Sequence, residues 1–137
     1  LVNTASGAGL AVTGSGVLYT TSKFGVVGMS EALNAELAPA GIGVSVLCPG
    51  PVATDIVQRS ADAAPKTGLS LSKDEERRGA DRRAQMSQLL QQGTSIDEVG
   101  EMVLKAVQQN SLYIHTDRVM VDAIVARTKA LLDAMPS

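Results

Sequence analysis

Tyr19 and Lys23 stand four residues apart in Tyr19-Thr20-Thr21-Ser22-Lys23. Positions four apart on a helix share one face, so a phenol and an ammonium there act on the same space. A free tyrosine titrates near ~10 and is a poor acid or base at neutral pH. A nearby ammonium favours the phenolate. Lowering the tyrosine by roughly three units takes about 4 kcal/mol of differential stabilisation. A partly desolvated cation at close range, aided by a helix N-terminus, can supply an effect of that size. The chemistry such a pair suits is proton transfer to or from a carbonyl or alcohol oxygen. Tyr-x-x-x-Lys alone is a weak signal, since many helices contain it.

The elements around the pair raise its meaning. Leu1 to Thr4 reads as a short strand end, and Gly7, Gly9, Gly14 and Gly16 mark a small-residue loop after it. From about Thr20 to Ala38 the pattern is helical, with Val26, Met29, Leu33 and Leu37 at spacings of three and four. Pro39 and Gly41 stop that helix. Ile42 to Leu47 is a β-branched run that reads as a buried parallel strand. Strand, loop, helix and strand make a βαβ unit, right-handed by the general rule. Ser6 closes the first strand thirteen residues before Tyr19, and Pro49-Gly50-Pro51-Val52-Ala53-Thr54 leaves the next strand. In a parallel α/β sheet both strand ends face the ligand crevice. Ser6 could bond the same substrate oxygen as Tyr19, or simply cap a loop. Thr54 and the backbone before it could hold a flat, amide-bearing ring, or Thr54 could cap the following turn with Asp55.

Three segments together resemble the short-chain dehydrogenase/reductases: Val2-Asn3-Thr4-Ala5-Ser6-Gly7-Ala8-Gly9, Tyr19-x-x-x-Lys23 with Ser22 and Gly25, and Cys48-Pro49-Gly50-Pro51-Val52-Ala53-Thr54. They occur in the family's order and spacing, and the later elements also look like that family's C-terminal part. The resemblance implies an α/β fold, the C-terminal part of a Rossmann-type doubly wound parallel sheet, with about three strands and flanking helices. It implies residues 1–137 as a C-terminal catalytic half, NAD or NADP as cofactor, and hydride transfer to or from a small carbonyl or alcohol substrate. On that resemblance Ser6 orients the substrate oxygen, and Tyr19 is the acid/base and also a cofactor-binding residue. Lys23 tunes the tyrosine and bonds the nicotinamide ribose. Pro49, Gly50, Val52 and Thr54 line the nicotinamide. The family's Gly-rich turn, its NAD/NADP-selecting residue and an Asn-Ala-Gly segment would all precede Leu1. The glycines present do not form the strand-to-helix fingerprint. The adenosine and pyrophosphate sites are therefore expected outside this sequence, and the first strand is expected to expose an edge. An alternative reading follows: a non-catalytic half-domain that self-associates or complements an N-terminal half, with the small residues Gly25, Gly28, Ala32 and Ala35 allowing close helix packing.

Downstream, residues 57–93 are polar, and a lid over about 56–93 is expected to set the substrate. Ser72 with Glu75 makes a capping box for a helix of about Lys73 to Gln91, with a thin apolar face. Ser95 with Glu98 makes a second, ahead of Ile96, Val99, Val103 and Val107. Leu112 to Ile114 reads as a strand. A last helix is expected from about Arg118 to Ala134, with Val121, Ile124, Thr128 and Leu131 on one side.

Composition excludes several classes. Hydrophobic residues make up 45% of the 137 and charged residues 19%, which favours a globular domain over disorder. A net charge of −2 gives no basic field for nucleic acid, and three aromatics give no base-stacking platform. No apolar run of about 18 residues is present, so no membrane-spanning helix is expected. Leu1 to Ser6 lacks the basic and apolar regions of a signal peptide, and a cytoplasmic setting is expected. The single cysteine, Cys48, forms no internal disulfide and reads as a small buried hydrophobe. One histidine, His115, gives little basis for a zinc site and reads as structural or solvent-facing. The run Lys73 to Arg83 reads as a charged helix face, or less simply as a docking site.

Overall fold

The computed structural model describes residues 1–64 and 72–136. Strands β1 (Val2–Thr4), β2 (Ser45–Cys48) and β3 (Tyr113–His115) form one parallel sheet in the order β1-β2-β3. The helices are α1 (Val17–Leu37), α2 (Ile56–Asp62), α3 (Lys73–Gln91), α4 (Ile96–Gln108) and α5 (Val121–Asp133). This is a Rossmann-like α/β arrangement. The chain divides into two compact units, Leu1–Gly50 with Asp97–Ser137, and Pro51–Ile96.

In the first unit β2 is the central strand. Val2 pairs with Ser45 on one side, and Cys48 pairs with His115 on the other. A strand buried on both faces needs apolar side chains in both directions. On one face Val44, just before the strand, and Val46 have no exposed surface, while on the other Leu47 is half-buried and Ser45 is buried with its hydroxyl donating to the Ser111 carbonyl at 2.8 Å. The strand begins at Ser45, later than the Ile42 expected from the β-branched run. Pairing with β1 starts only at Ser45, and Ile42 still donates its N–H back to Leu37 at the end of α1. The core is Ala5, Val27, Val46 and Cys48, with Leu10, Val26 and Leu112 packed against it.

Helix α1 starts three residues before the expected Thr20. Its N-cap is Gly16, at φ +87°, a conformation that side chains with a Cβ rarely adopt. Its buried face is also rotated from the expected one. Val27 and Ser30 are buried, while Met29 is 47% exposed. The Ser30 hydroxyl donates to the Val26 carbonyl at 2.6 Å and accepts from Asn3 Nδ2 at 3.0 Å. A polar residue can thus sit in the core because its hydrogen bonds are made.

Helix α4 turns Val99, Met102, Val103 and Ala106 inward. Ile96 and Val107, expected on that stripe, are exposed at its two ends. On α5 only Ala123 and Ile124 are half-buried, and Val121, Thr128 and Leu131 are exposed. The second unit holds α2 and α3. Its first and last segments meet through a parallel bridge between Val52 and Thr94, with Ala53 N–H donating to the Thr94 carbonyl at 2.9 Å. Helix α3 begins and ends where the sequence places it, and the Ser72–Glu75 capping box is formed in both directions. Residues 65–71 of the expected lid lie outside the described residues.

Candidate active site

Ser6 lies two residues past the end of β1 and caps a single 3-10 turn, Gly7–Gly9. Its Oγ accepts from the Ala8 N–H at 3.2 Å, which leaves its own O–H to donate elsewhere. The turn is buried and lies against α1. A Cβ on Gly9 would stand 2.6 Å from the Lys23 carbonyl oxygen and 2.9 Å from Val27 Cγ2. Only glycine lets the turn approach the helix backbone this closely. The contact falls at Lys23, so the Ser6 turn is seated beside the residue the sequence singles out.

Tyr19 and Lys23 lie on one face of α1. Tyr19 is 45% exposed. The Lys23 ammonium is 5.6 Å from the Tyr19 ring centroid, within cation–π range. Its hydrogen bond to the Thr4 carbonyl at the end of β1 is long at 3.5 Å. No carboxylate pairs with Lys23 among the described residues. The ammonium is therefore placed at the sheet end and open to a further acceptor.

Pro49 and Gly50 leave β2 at the same sheet end. The Pro49 carbonyl accepts from Gly7 N–H at 2.8 Å, and Gly50 N–H donates to Thr116 Oγ1 at 3.0 Å. Thr116 in turn donates to Asp117 Oδ2 at 2.8 Å, and Asp117 Oδ1 accepts from Val119 N–H at 2.9 Å. The structure thus brings Ser6, Tyr19, Lys23, Pro49 and Gly50 into one unit. Val52 and Thr54 belong to the other, where both are partly buried. Thr116 and Asp117 were not legible as site residues. Their only sequence signal is a Thr-Asp pair directly after the third strand, at the end where ligands bind.

Two other polar groups are removed from the chemistry. The Tyr113 hydroxyl donates to Glu31 Oε1 at 2.6 Å. That bond, with desolvation and the charge of Glu31, pushes Tyr113 up to about 12. Burial, and then the charge of Glu31, pushes the Cys48 thiol up to about 11. A thiol in that state is a packing group rather than a nucleophile. His115 stacks on Tyr113 with ring centroids 6.4 Å apart. No cluster of metal-ligating residues occurs among the described residues.

A family model described as short chain dehydrogenase matches residues 1–65. A solved structure of a short chain dehydrogenase/reductase from Burkholderia phymatum, in complex with NAD, superposes on 99% of this chain with a TM-score of 0.81 and 26% identity. The chain belongs to the short-chain dehydrogenase/reductase family. Two further relatives are dehydrogenases by name. The CLA biosynthesis dehydrogenase/reductase of Lactiplantibacillus plantarum is 33% identical over 122 residues, covering 85% of this chain and 42% of the relative. The D-beta-hydroxybutyrate dehydrogenase of Cupriavidus necator is 34% identical over 70 residues, covering 50% of this chain and 27% of the relative. The chain thus spans less than half the length of these relatives, and 49% of the Burkholderia chain. Among the described residues no helix is long and apolar enough to cross a membrane.

Proposed function

We propose that this chain carries the acid/base centre of an oxidoreductase that moves a hydride between a nicotinamide dinucleotide, NAD or NADP, and a small carbonyl or alcohol substrate. The observation that carries this reading is the Tyr19–Lys23 pair on one open face of α1, beside the turn that bears Ser6. The Burkholderia relative, whose structure is described with NAD, supports the choice of cofactor.

The donor set fits the nicotinamide riboside end of such a cofactor. Lys23 has ammonium N–H donors still open to acceptors, which suits ribose hydroxyl oxygens. Pro49 and Gly50 offer a rigid, nearly side-chain-free wall to a flat ring. When bound, the dinucleotide supplies or takes the hydride.

The chain's own residues do the rest. Tyr19 gives its phenolic proton to the carbonyl oxygen in reduction and takes the alcohol proton in the reverse direction. Lys23 places positive charge beside the phenol as that proton leaves. The Ser6 O–H donates to the same substrate oxygen and fixes its direction. Tyr19→Phe keeps the helix and removes only the proton. It is expected to cut turnover by about 10²- to 10⁴-fold, the usual contribution of general acid–base catalysis. Affinity for NADH or NADPH should stay within a few-fold of the unsubstituted protein. Full turnover by Tyr19→Phe would sink the reading.

A second reading rests on one observation. Among the described residues strand β1 is bonded only to β2, and Leu1 and Val2 beside its open edge are 62% and 43% exposed. On this reading the chain acts by pairing that edge with another strand, from itself or from a complementary half.

A further inference from the structure

The carbonyl of Pro49 and the N–H of Gly50 belong to one peptide group. Both are bonded, and from opposite sides: the carbonyl by Gly7 of the Ser6 turn, the N–H by the Thr116 hydroxyl. The β2–β3 ladder ends at Cys48 opposite His115. Beyond it the Thr116 side chain takes over and holds a backbone group that a strand would otherwise hold. Thr116 is buried, at 6% exposure. Its proton is committed to Asp117, so its oxygen is turned toward Gly50 as an acceptor. Asp117 is itself fixed by Val119 N–H. Its carboxylate lies over the Gly50 Cα, where a Cβ would stand 2.7 Å from Oδ1 and closer still to Oδ2. Glycine at 50 and aspartate at 117 thus fill one space between them.

We propose that Thr116 and Asp117 are positioning residues that lock the Pro49–Gly50 peptide plane and so preform the wall against which the nicotinamide ring rests. This rests on the dinucleotide reading above and adds residues that the sequence motifs do not contain. Neither residue touches the reacting atoms. They act by denying the peptide a rotation that would cost binding energy to undo.

The test uses two measurements on the wild-type protein, Thr116→Val and Thr116→Ser. The first is amide hydrogen exchange at Gly50. Valine keeps the volume and removes the acceptor, so exchange at Gly50 should rise at least about tenfold, the size of one lost hydrogen bond, while Val46 and Leu47 remain protected. Serine restores the acceptor and should restore protection. The second is titration with NADH and NADPH. Affinity should fall about tenfold in Thr116→Val and return in Thr116→Ser. A merely structural role would not follow the hydroxyl in this way. If Thr116→Val does not fold, Asp117→Asn keeps the volume at 117 and carries the same two readouts.

Unchanged exchange at Gly50 in the valine variant overturns the clamp. Faster exchange with unchanged nucleotide affinity overturns its link to the ring. The titration is made on the full-length protein that also carries the adenosine and pyrophosphate sites, and wild-type protein of that length that binds neither nucleotide overturns the dinucleotide reading, and with it that link. The exchange result then still decides whether the clamp exists.

Discussion

At the scale of single residues, the environment of each titratable group sets what it can do. Cys48 and Tyr113 share a neighbour in Glu31, and both are pushed upward, to about 11 and about 12. Each is protonated more readily in the folded chain than in the unfolded one, where the cysteine reference is 9.0. The stabilisation is therefore complete below about pH 9 and is lost as pH rises toward 11, because the unfolded chain releases its protons first. Urea unfolding midpoints should fall between pH 9 and 11, and Cys48→Ala should make that fall shallower. An equal slope in the two proteins would show that Cys48 does not contribute. The proposed catalytic residues were legible because their types are chemically unusual at fixed spacings: Ser6, Tyr19, Lys23. The clamp residues were not, because threonine and aspartate after a strand are ordinary turn formers. Only the β2–β3 register reveals that Thr116 meets Gly50.

At the scale of elements, legibility followed the strength of local signals. Helix α3 came out residue for residue because its start is fixed by a local reciprocal bond. Ser72 accepts from Glu75 N–H at 3.3 Å, and the Glu75 carboxylate accepts from Ser72 N–H at 2.8 Å. The Ser72 hydroxyl, which donates to the Glu75 carboxylate at 2.7 Å, and then the Ser72 N–H hold Glu75 below its ordinary value of 4.5. Their contribution is present above that value and is lost as pH falls through the lowered one. Ser72→Ala should speed amide exchange over Lys73–Glu76 at neutral pH and leave little further change on acidification. Wild-type exchange there should rise on acidification, after correction for intrinsic rates. No difference between the two proteins would mean that the box does not hold the helix start. Helices α1, α4 and α5 were found, but the faces they bury were read less well. Spacing gives a helix its period, while the neighbour it packs on decides which residues turn inward. On α1 that neighbour is the Gly7–Gly9 turn and β1, which select Val27 and Ser30 over Met29.

At the scale of the whole molecule, the parallel pairing of the first two strands followed from the βαβ pattern, since a helix between two strands lets them run parallel, whereas the place of β3 beside β2 was not in that pattern. What the pattern could not give is how many strands lie beside β1. The open edge makes the assembly reading testable. Sedimentation of the purified protein across a concentration series should show self-association if β1 recruits a second copy. A concentration-independent monomer counts against self-pairing and leaves the complementary half as the partner to test. The apolar side chains left open on α5, among them Val125 and Leu132, belong to the same problem of scale. Sequence periodicity predicts an apolar stripe but is silent on what covers it.

The hydrogen bonds of Ser30 have a reach longer than their own length. Ser30 lies seven positions after Lys23 and eleven after Tyr19. At about 3.6 residues per turn these are close to two and three full turns, so all three residues point in nearly the same direction around the helix axis. Asn3 holds Ser30 from the sheet. The azimuth of Tyr19 and Lys23 is therefore dialled in from the buried middle of the helix, as a key is turned by its bow. Removing the Ser30 hydroxyl takes away one of the stops that set the direction of the proposed acid/base pair, leaving the core packing of Val26 and Val27 and the close contact with the glycine turn to hold it.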